Sequence, residues 1–263
     1  MKIIVNMCLT LMFLVFIILP SHSAFDKKGL LVLFTFEGAK GDTVPDMSDG
    51  KHDGILKMNA KITTTAKYGK SALEITDQNA SMEVASFKEL EEYQDNTFLF
   101  WLYFTAGSNG AWSQIVVKLS PGNDRAPGIW INPGGTGIHY RYNPGNMGFG
   151  RIGPNGEGGD FELKTWYHIA GVKKGAQLTF YCNAEQKGQT AVPAAHQQGT
   201  GSLIVGKSPS YRAATFIIDD LVVFNRALTA DEVKQVMNGA LSTGAAVKAE
   251  GKLASTWGDI KAH

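Results

Sequence analysis

Short apolar runs rich in Val, Ile, Phe and Tyr recur along this chain, and clusters of Gly, Asn, Asp and Pro separate them. Such punctuation leaves little room for helices, which need a longer periodic stretch, and suits strands that each end in a tight turn. The spacing predicts strands over 30–36, 53–58, 71–76, 80–85, 97–104, 112–119, 128–132, 137–142, 165–173, 176–182, 201–206 and 215–224. The 30 glycines supply the turns. The pattern implies an all-β domain, a sandwich or barrel, over residues 24–239. "TFLFWLYF" at 97–104 is apolar on both sides and belongs in the middle of a sheet, whereas "ITTTAKYGKSALEIT" alternates and has one wet face.

Two segments read as helix. "FKELEEYQD" at 87–95 allows a turn or two, and "LTADEVKQVMNG" at 228–239 is the stronger signal. Thr229 and Glu232 are spaced as a capping box, Val233, Val236 and Met237 form an apolar stripe, and Gly239 suits the stop. Residues 240–263 are rich in Ala, Gly and Lys and poor in core formers, and read as a tail.

Near its start the chain carries Lys2, an apolar run from Met7 to Leu19 broken by Thr10, then Pro20 and "SHSA". That order is a signal peptide over 1–23, too short for a spanning helix, so the expected location is secreted, outside the cytoplasm, with no membrane span after cleavage. Cleavage removes Lys2 and no acid, so 25 basic and 24 acidic residues become 24 of each. A neutral chain without a basic stripe has no electrostatic handle on nucleic acid. Cys8 leaves with the peptide, and Cys182 alone cannot form an internal disulfide.

Four segments carry a resemblance. "GLLVLFTFEGAKGDTVPDMSDGKHDGIL" at 29–56, "KYGKSALEITDQNASMEV" at 67–84, "TWYHIAGVKKGAQLTFYCNAEQKG" at 165–188 and "FIIDDLVVFNRALTADEV" at 216–233 resemble, in order, laminin-G-like domains of the concanavalin A-like lectin/glucanase superfamily. The resemblance implies a two-sheet antiparallel jelly-roll sandwich with one short C-terminal helix. Two departures stand out: Asn183 is followed by Ala184 where the family's hairpin has Gly, and Cys182 replaces an aliphatic residue.

Asp219 and Asp220 interrupt the most apolar strand. Strict alternation puts Asp219 with Leu221 and Val223 on one face, and Asp220 with Val222 and Phe224 on the other. A buried carboxylate needs a partner. The resemblance implies a structural Ca²⁺ joining the first strand region to the last, with Asp219, Asp220, Glu37 and Asp46 as ligands, since Ca²⁺ takes several oxygens. The alternative is that Asp219 accepts backbone N–H hydrogen bonds.

The same residues hold no recognisable catalytic set. The glucanase relatives' Glu-x-Asp-x-x-Glu is absent, and the acids Glu157, Asp160 and Glu162 sit among loop glycines. The expectation is therefore a non-catalytic module, binding a glycan or an extracellular protein. The alternatives are a glycan hydrolase or lyase of the same fold, or a structural adhesion subunit. Sugar sites combine aromatic faces with hydrogen-bonding side chains. The segment 137–160 offers Tyr140, Arg141, Tyr142, Asn143, Asn146, Phe149 and Arg151 as ligand-binding residues. The alternative for the tyrosines is a place in the core.

Overall fold

The computed structural model describes residues 25–242. The expected signal peptide, and the tail beyond Ser242, lie outside the described residues. In chain order the first strands are β1 Leu30–Phe34, β2 Thr43–Val44, β3 Gly54–Lys57, β4 Lys61–Thr63, β5 Ala72–Ile75 and β6 Ser81–Val84. Helix α1, Lys88–Glu92, leads to β7 Asn96–Phe104, β8 Ser113–Lys118, β9 Gly128–Ile131, β10 Ile138–Tyr142, β11 Met147–Gly153 and β12 Gly156–Glu157. The chain continues through β13 Trp166–Lys174, β14 Gln177–Cys182, β15 Glu185–Ala191, β16 Leu203–Gly206, β17 Phe216–Phe224 and helix α2 Ala230–Met237. Each segment read as a strand from the sequence is one. The additional strands β2, β4, β11, β12 and β15 are short, glycine-containing or polar.

Two antiparallel sheets stack as a jelly-roll sandwich. One runs β15-β14-β13-β7-β17-β5-β4, with β1 also on β17; the other runs β12-β11-β10-β9-β8-β16-β6-β3-β2. Between them lies one large core. Phe34, Phe98, Phe100, Phe216 and Ile218 enter it from the first sheet, and Ile129, Ile131, Ile138, Tyr140 and Tyr142 from the second. Each such large side chain contributes about 1.5–3 kcal/mol by leaving water. The first sheet is covered behind as well: Leu33, Leu99, Val222 and Phe224 pack with Val233 and Val236 of α2. Two covered faces explain why all of β17 is buried.

The aspartates break the alternation read from the sequence. The β17–β7 register slips between Asp219 and Val222, and Asp220 adopts a left-handed backbone at φ 47°. This bulge makes Ile218 and Leu221 successive core residues, so Asp219 and Asp220 are both left on the outer side of the sheet. The carboxylates therefore do not guard opposite faces. The bulge also marks a change of neighbour, because one edge of β17 pairs with β5 over Phe216–Ile218 and with β1 over Leu221–Phe224.

Helix α2 begins with the expected capping box: Thr229 Oγ1 accepts from Glu232 N, and Glu232 Oε2 accepts from Thr229 N. Thr229→Ala is expected to cost about 1 kcal/mol in urea unfolding, and an unchanged midpoint would remove the cap from the stability of the domain.

Candidate functional site

Three of the proposed metal-ligating acids gather round the turn at 67–71. Asp219 Oδ2 accepts from Lys67 N at 2.8 Å and Tyr68 N at 3.0 Å, and its Oδ1 from Asp220 N at 2.8 Å. Glu37 Oε1 accepts from Lys70 N and Ser71 N at 2.6 and 2.8 Å. Asp220 accepts from the Ser242 hydroxyl. Asp46 works elsewhere: it holds Leu33 N, Ser48 N and His52 N, each at 2.9 Å. Among the described residues no group of three or more His, Cys, Asp or Glu side chains is placed to hold an ion. Asp46 thus stands apart from the other three acids, both carboxylate oxygens of Asp219 and of Asp46 accept from N–H or hydroxyl donors, and Asp219 closes the gap along β17 between β5 and β1.

The ligand residues expected in 137–160 divide by strand alternation. Tyr140, Tyr142 and Phe149 point into the core and are fully buried, with the Tyr142 hydroxyl donating to Asn96 Oδ1 at 2.6 Å. They cannot meet a ligand without unfolding the sandwich. Arg151 is drawn off by an ion pair with Asp160. Arg141, Asn143 and Asn146 remain at the surface, and there they join residues the sequence reading passed over.

The outer face of the second sheet carries an aromatic cluster. Ile129 and Ile131 face the core, so Trp130 between them faces out; Ile138 and Tyr140 likewise leave His139 outward. Trp130 and His139 are cross-strand partners, with ring centroids 5.6 Å apart. Trp112, just before β8, comes within 4.5 Å of His139, and Tyr211, from the β16–β17 loop, meets Trp130 edge-on at 5.4 Å. Arg125 lies over the Trp130 ring at 4.9 Å and donates through Nε to Asn146 Oδ1 at 2.9 Å. Together these residues line a cavity of about 170 Å³. A second cavity of about 570 Å³ adjoins it at Arg125, lined by Ser120, Asn123, Asp124, Asn143 and Ser210 among others.

The cluster is held by its surroundings. A Cβ at position 128 would clash with the six-membered edge of Trp130, so Gly128 lets the indole lie against the strand. Ser208 Oγ donates to Gln114 Oε1, and Gln114 Nε2 donates to Val116 O and Ile129 O, fixing the Tyr211 loop to the sheet. Asn143 N donates to Arg125 O, and Asn123 Oδ1 accepts from both Arg125 N and Asn143 Nδ2, which ties the Arg125 loop to the β10–β11 turn. Burial holds the His139 imidazole down at about 4, with Arg141 and Arg125 pushing the same way. It is neutral at physiological pH, so Nδ1, 2.9 Å from Gly150 O, is the donor and Nε2 an acceptor. Trp112 is 39% exposed and forms the open wall.

A sandwich with this topology and an aromatic pocket on its outer sheet is a lectin/glucanase-type fold. A family model described as the concanavalin A-like lectin/glucanases superfamily matches residues 76–234, and the chain belongs to that superfamily. No curated protein matches the chain. Among solved structures it is similar to the binding domain of Paraclostridial Mosquitocidal Protein 1, at 15% identity and TM-score 0.59, over 81% of this chain and 52% of that one. It is also similar to Trypanosoma rangeli sialidase in complex with sialic acid, at 15% identity and TM-score 0.62, over 84% of this chain and 35% of that one. A mutant of that sialidase displaying trans-sialidase activity matches at 16% identity and TM-score 0.63, over 84% and 35%. The chain spans about half the length of the first and about a third of the sialidases. One expectation is corrected by these neighbours. The chain was expected not to be an enzyme, and sialidases are enzymes that contain this sandwich, so a missing glucanase pattern is no ground for excluding catalysis. Among the described residues no helix is long and apolar enough to cross a membrane.

Two outcomes are expected from this geometry. Burial first, and the charge of Asp220 second, push the Asp219 carboxyl up to about 7, against the pull of its three N–H donors. Burial likewise pushes Asp220 up to about 6. Carboxyls whose folded values are raised favour folding while protonated; that contribution is full below about pH 4 and is lost as pH climbs through about 6 and 7. The melting temperature should fall over that window, Asp220→Asn should flatten the fall, and chelator should change nothing. A chelator-dependent drop would restore a metal at Asp219. Separately, Gly128→Ala should displace the Trp130 indole and shift the intrinsic fluorescence with the fold retained; an unchanged spectrum would show that the ring does not rest on position 128.

Proposed function

We propose that this chain is an extracytoplasmic carbohydrate-recognition domain, with the sugar seated in the outer-face pocket of the second sheet. The observation that supports this reading is the aromatic wall of Trp112, His139, Trp130 and Tyr211 beside Arg125 and Asn146. Aromatic faces stack on the apolar patches of a sugar ring, while amide and guanidinium groups hydrogen-bond its hydroxyls. The smaller cavity takes one ring-sized group, and the adjoining polar cavity offers Asn123, Asp124, Asn143 and Ser210 to the next units of an oligosaccharide. His139 Nε2, as an acceptor, suits a hydroxyl donor.

A glycan array on the whole chain tests this. Binding to at least one glycan is expected, weakened about tenfold or more by Trp112→Ala, because loss of an aromatic stack costs on the order of 1 kcal/mol beyond the lost area. The melting temperature should barely move, since Trp112 is partly exposed. Binding indifferent to Trp112→Ala would place the site elsewhere, and no binding to any glycan would overturn the reading. Reducing-sugar release from any glycan retained reads whether the pocket also cleaves what it holds.

A further inference from the structure

Arg125 and Arg141 converge on a single residue. Arg125 Nε donates to Asn146 Oδ1, and Arg141 Nη1 donates to the Asn146 carbonyl, both at 2.9 Å. Only one of the two charges is matched by an acid. Arg125 pairs with Asp124, and Arg151 farther along with Asp160, whereas Arg141 has no carboxylate partner among the described residues. Arg141 Nε is buried without an acceptor, and so is Nε1 of Trp130, a side chain 1% exposed that lines the pocket. Both unmatched groups are donors only. With Arg125 paired to Asp124, the unmatched charge beside the pocket is that of Arg141, whose guanidinium pKa is lowered by burial first and by Arg125 second. A neutral sugar hydroxyl would satisfy one donor at a time; an oxyanion accepts several and cancels the excess charge.

Resting on the carbohydrate reading of the same pocket, we infer that its ligand is an acidic glycan, whose carboxylate or sulfate oxygens sit between Arg125, Arg141 and Trp130 while the sugar ring lies against Trp112. Binding involves no covalent step. The two anion chemistries differ in source: a uronic acid presents a planar carboxylate, and a sulfated sugar presents a tetrahedral ester.

Affinity electrophoresis of the whole chain separates them, with polygalacturonate, fully methyl-esterified pectin, dextran sulfate and dextran cast into native gels. Retardation by polygalacturonate but not by its methyl ester assigns a carboxylate, and retardation by dextran sulfate but not by dextran assigns a sulfate. Arg141→Gln should weaken the anionic interaction about tenfold or more, as expected for a charge-assisted hydrogen bond. Arg141→Lys should retain part of it, and guards against a Gln variant that fails to fold. Lys234→Gln, exposed on α2 and remote from the pocket, should change nothing. Equal retardation by a neutral counterpart would overturn the acidic assignment while leaving the carbohydrate reading intact. An equal loss in Lys234→Gln would reduce the effect to diffuse charge and overturn it too. No retardation by any of the four polymers overturns the inference, and only if the glycan array is also blank does the carbohydrate reading fall with it.

Discussion

The sandwich depends on how β17 changes neighbour halfway along its length. A central strand must satisfy its backbone groups on both edges. On one edge β7 runs the full distance, but on the other β5 stops at Ile218 and β1 begins at Leu221. At the seam two residues face neither strand. The bulge turns both outward, and the Asp219 carboxylate takes the place of a strand by accepting from Lys67 N and Tyr68 N, donors that the turn entering β5 would otherwise leave unmatched. Glu37 repeats the device at the end of β1, holding Lys70 N and Ser71 N. Burying Asp219 and its neighbour Asp220 is costly, which the raised proton affinity of those two carboxyls records. Leaving several backbone N–H groups without partners would cost more, at about 1–3 kcal/mol each.

Much of this was legible in the sequence, and the failures share a cause. Apolar strands such as β7, β13 and β17 announced themselves because both of their faces are covered. Strand β15, Glu185–Ala191, is a polar edge, and β11, Met147–Gly153, carries three glycines; neither has the apolar density that marks a strand. Strict alternation also failed at Asp219 and Asp220, because a bulge shifts the phase and a polar pair gives no sign of it. The hairpin after β14 tolerates Ala184 at φ 62°, next to Asn183 at φ 51°, where glycine would be easier.

The pocket tells the opposite story, since alternation would have found it. In "GIWI" and "IHYRY" the isoleucines mark the core face, so Trp130, His139 and Arg141 must lie outside and the two tyrosines inside. Attention to the ring-rich segment alone favoured Tyr140, Tyr142 and Phe149, which build the floor under the site rather than the site. Trp112, Arg125 and Tyr211 come from three separate loops, and only the folded sheet brings them together.

The placement of β17 also governs when the molecule can exist at all. Phe224 sits opposite Leu30, and Phe216 opposite Phe104, so the middle of the first sheet is supplied by nearly the last residues of the domain. During synthesis β1, β5 and β7 emerge early and must wait with their edges open until residue 224 has appeared. Such long-range pairing implies slow, late closure, and the acids at the seam, charged in an open chain, keep that waiting edge hydrated and poorly suited to pairing with a stranger.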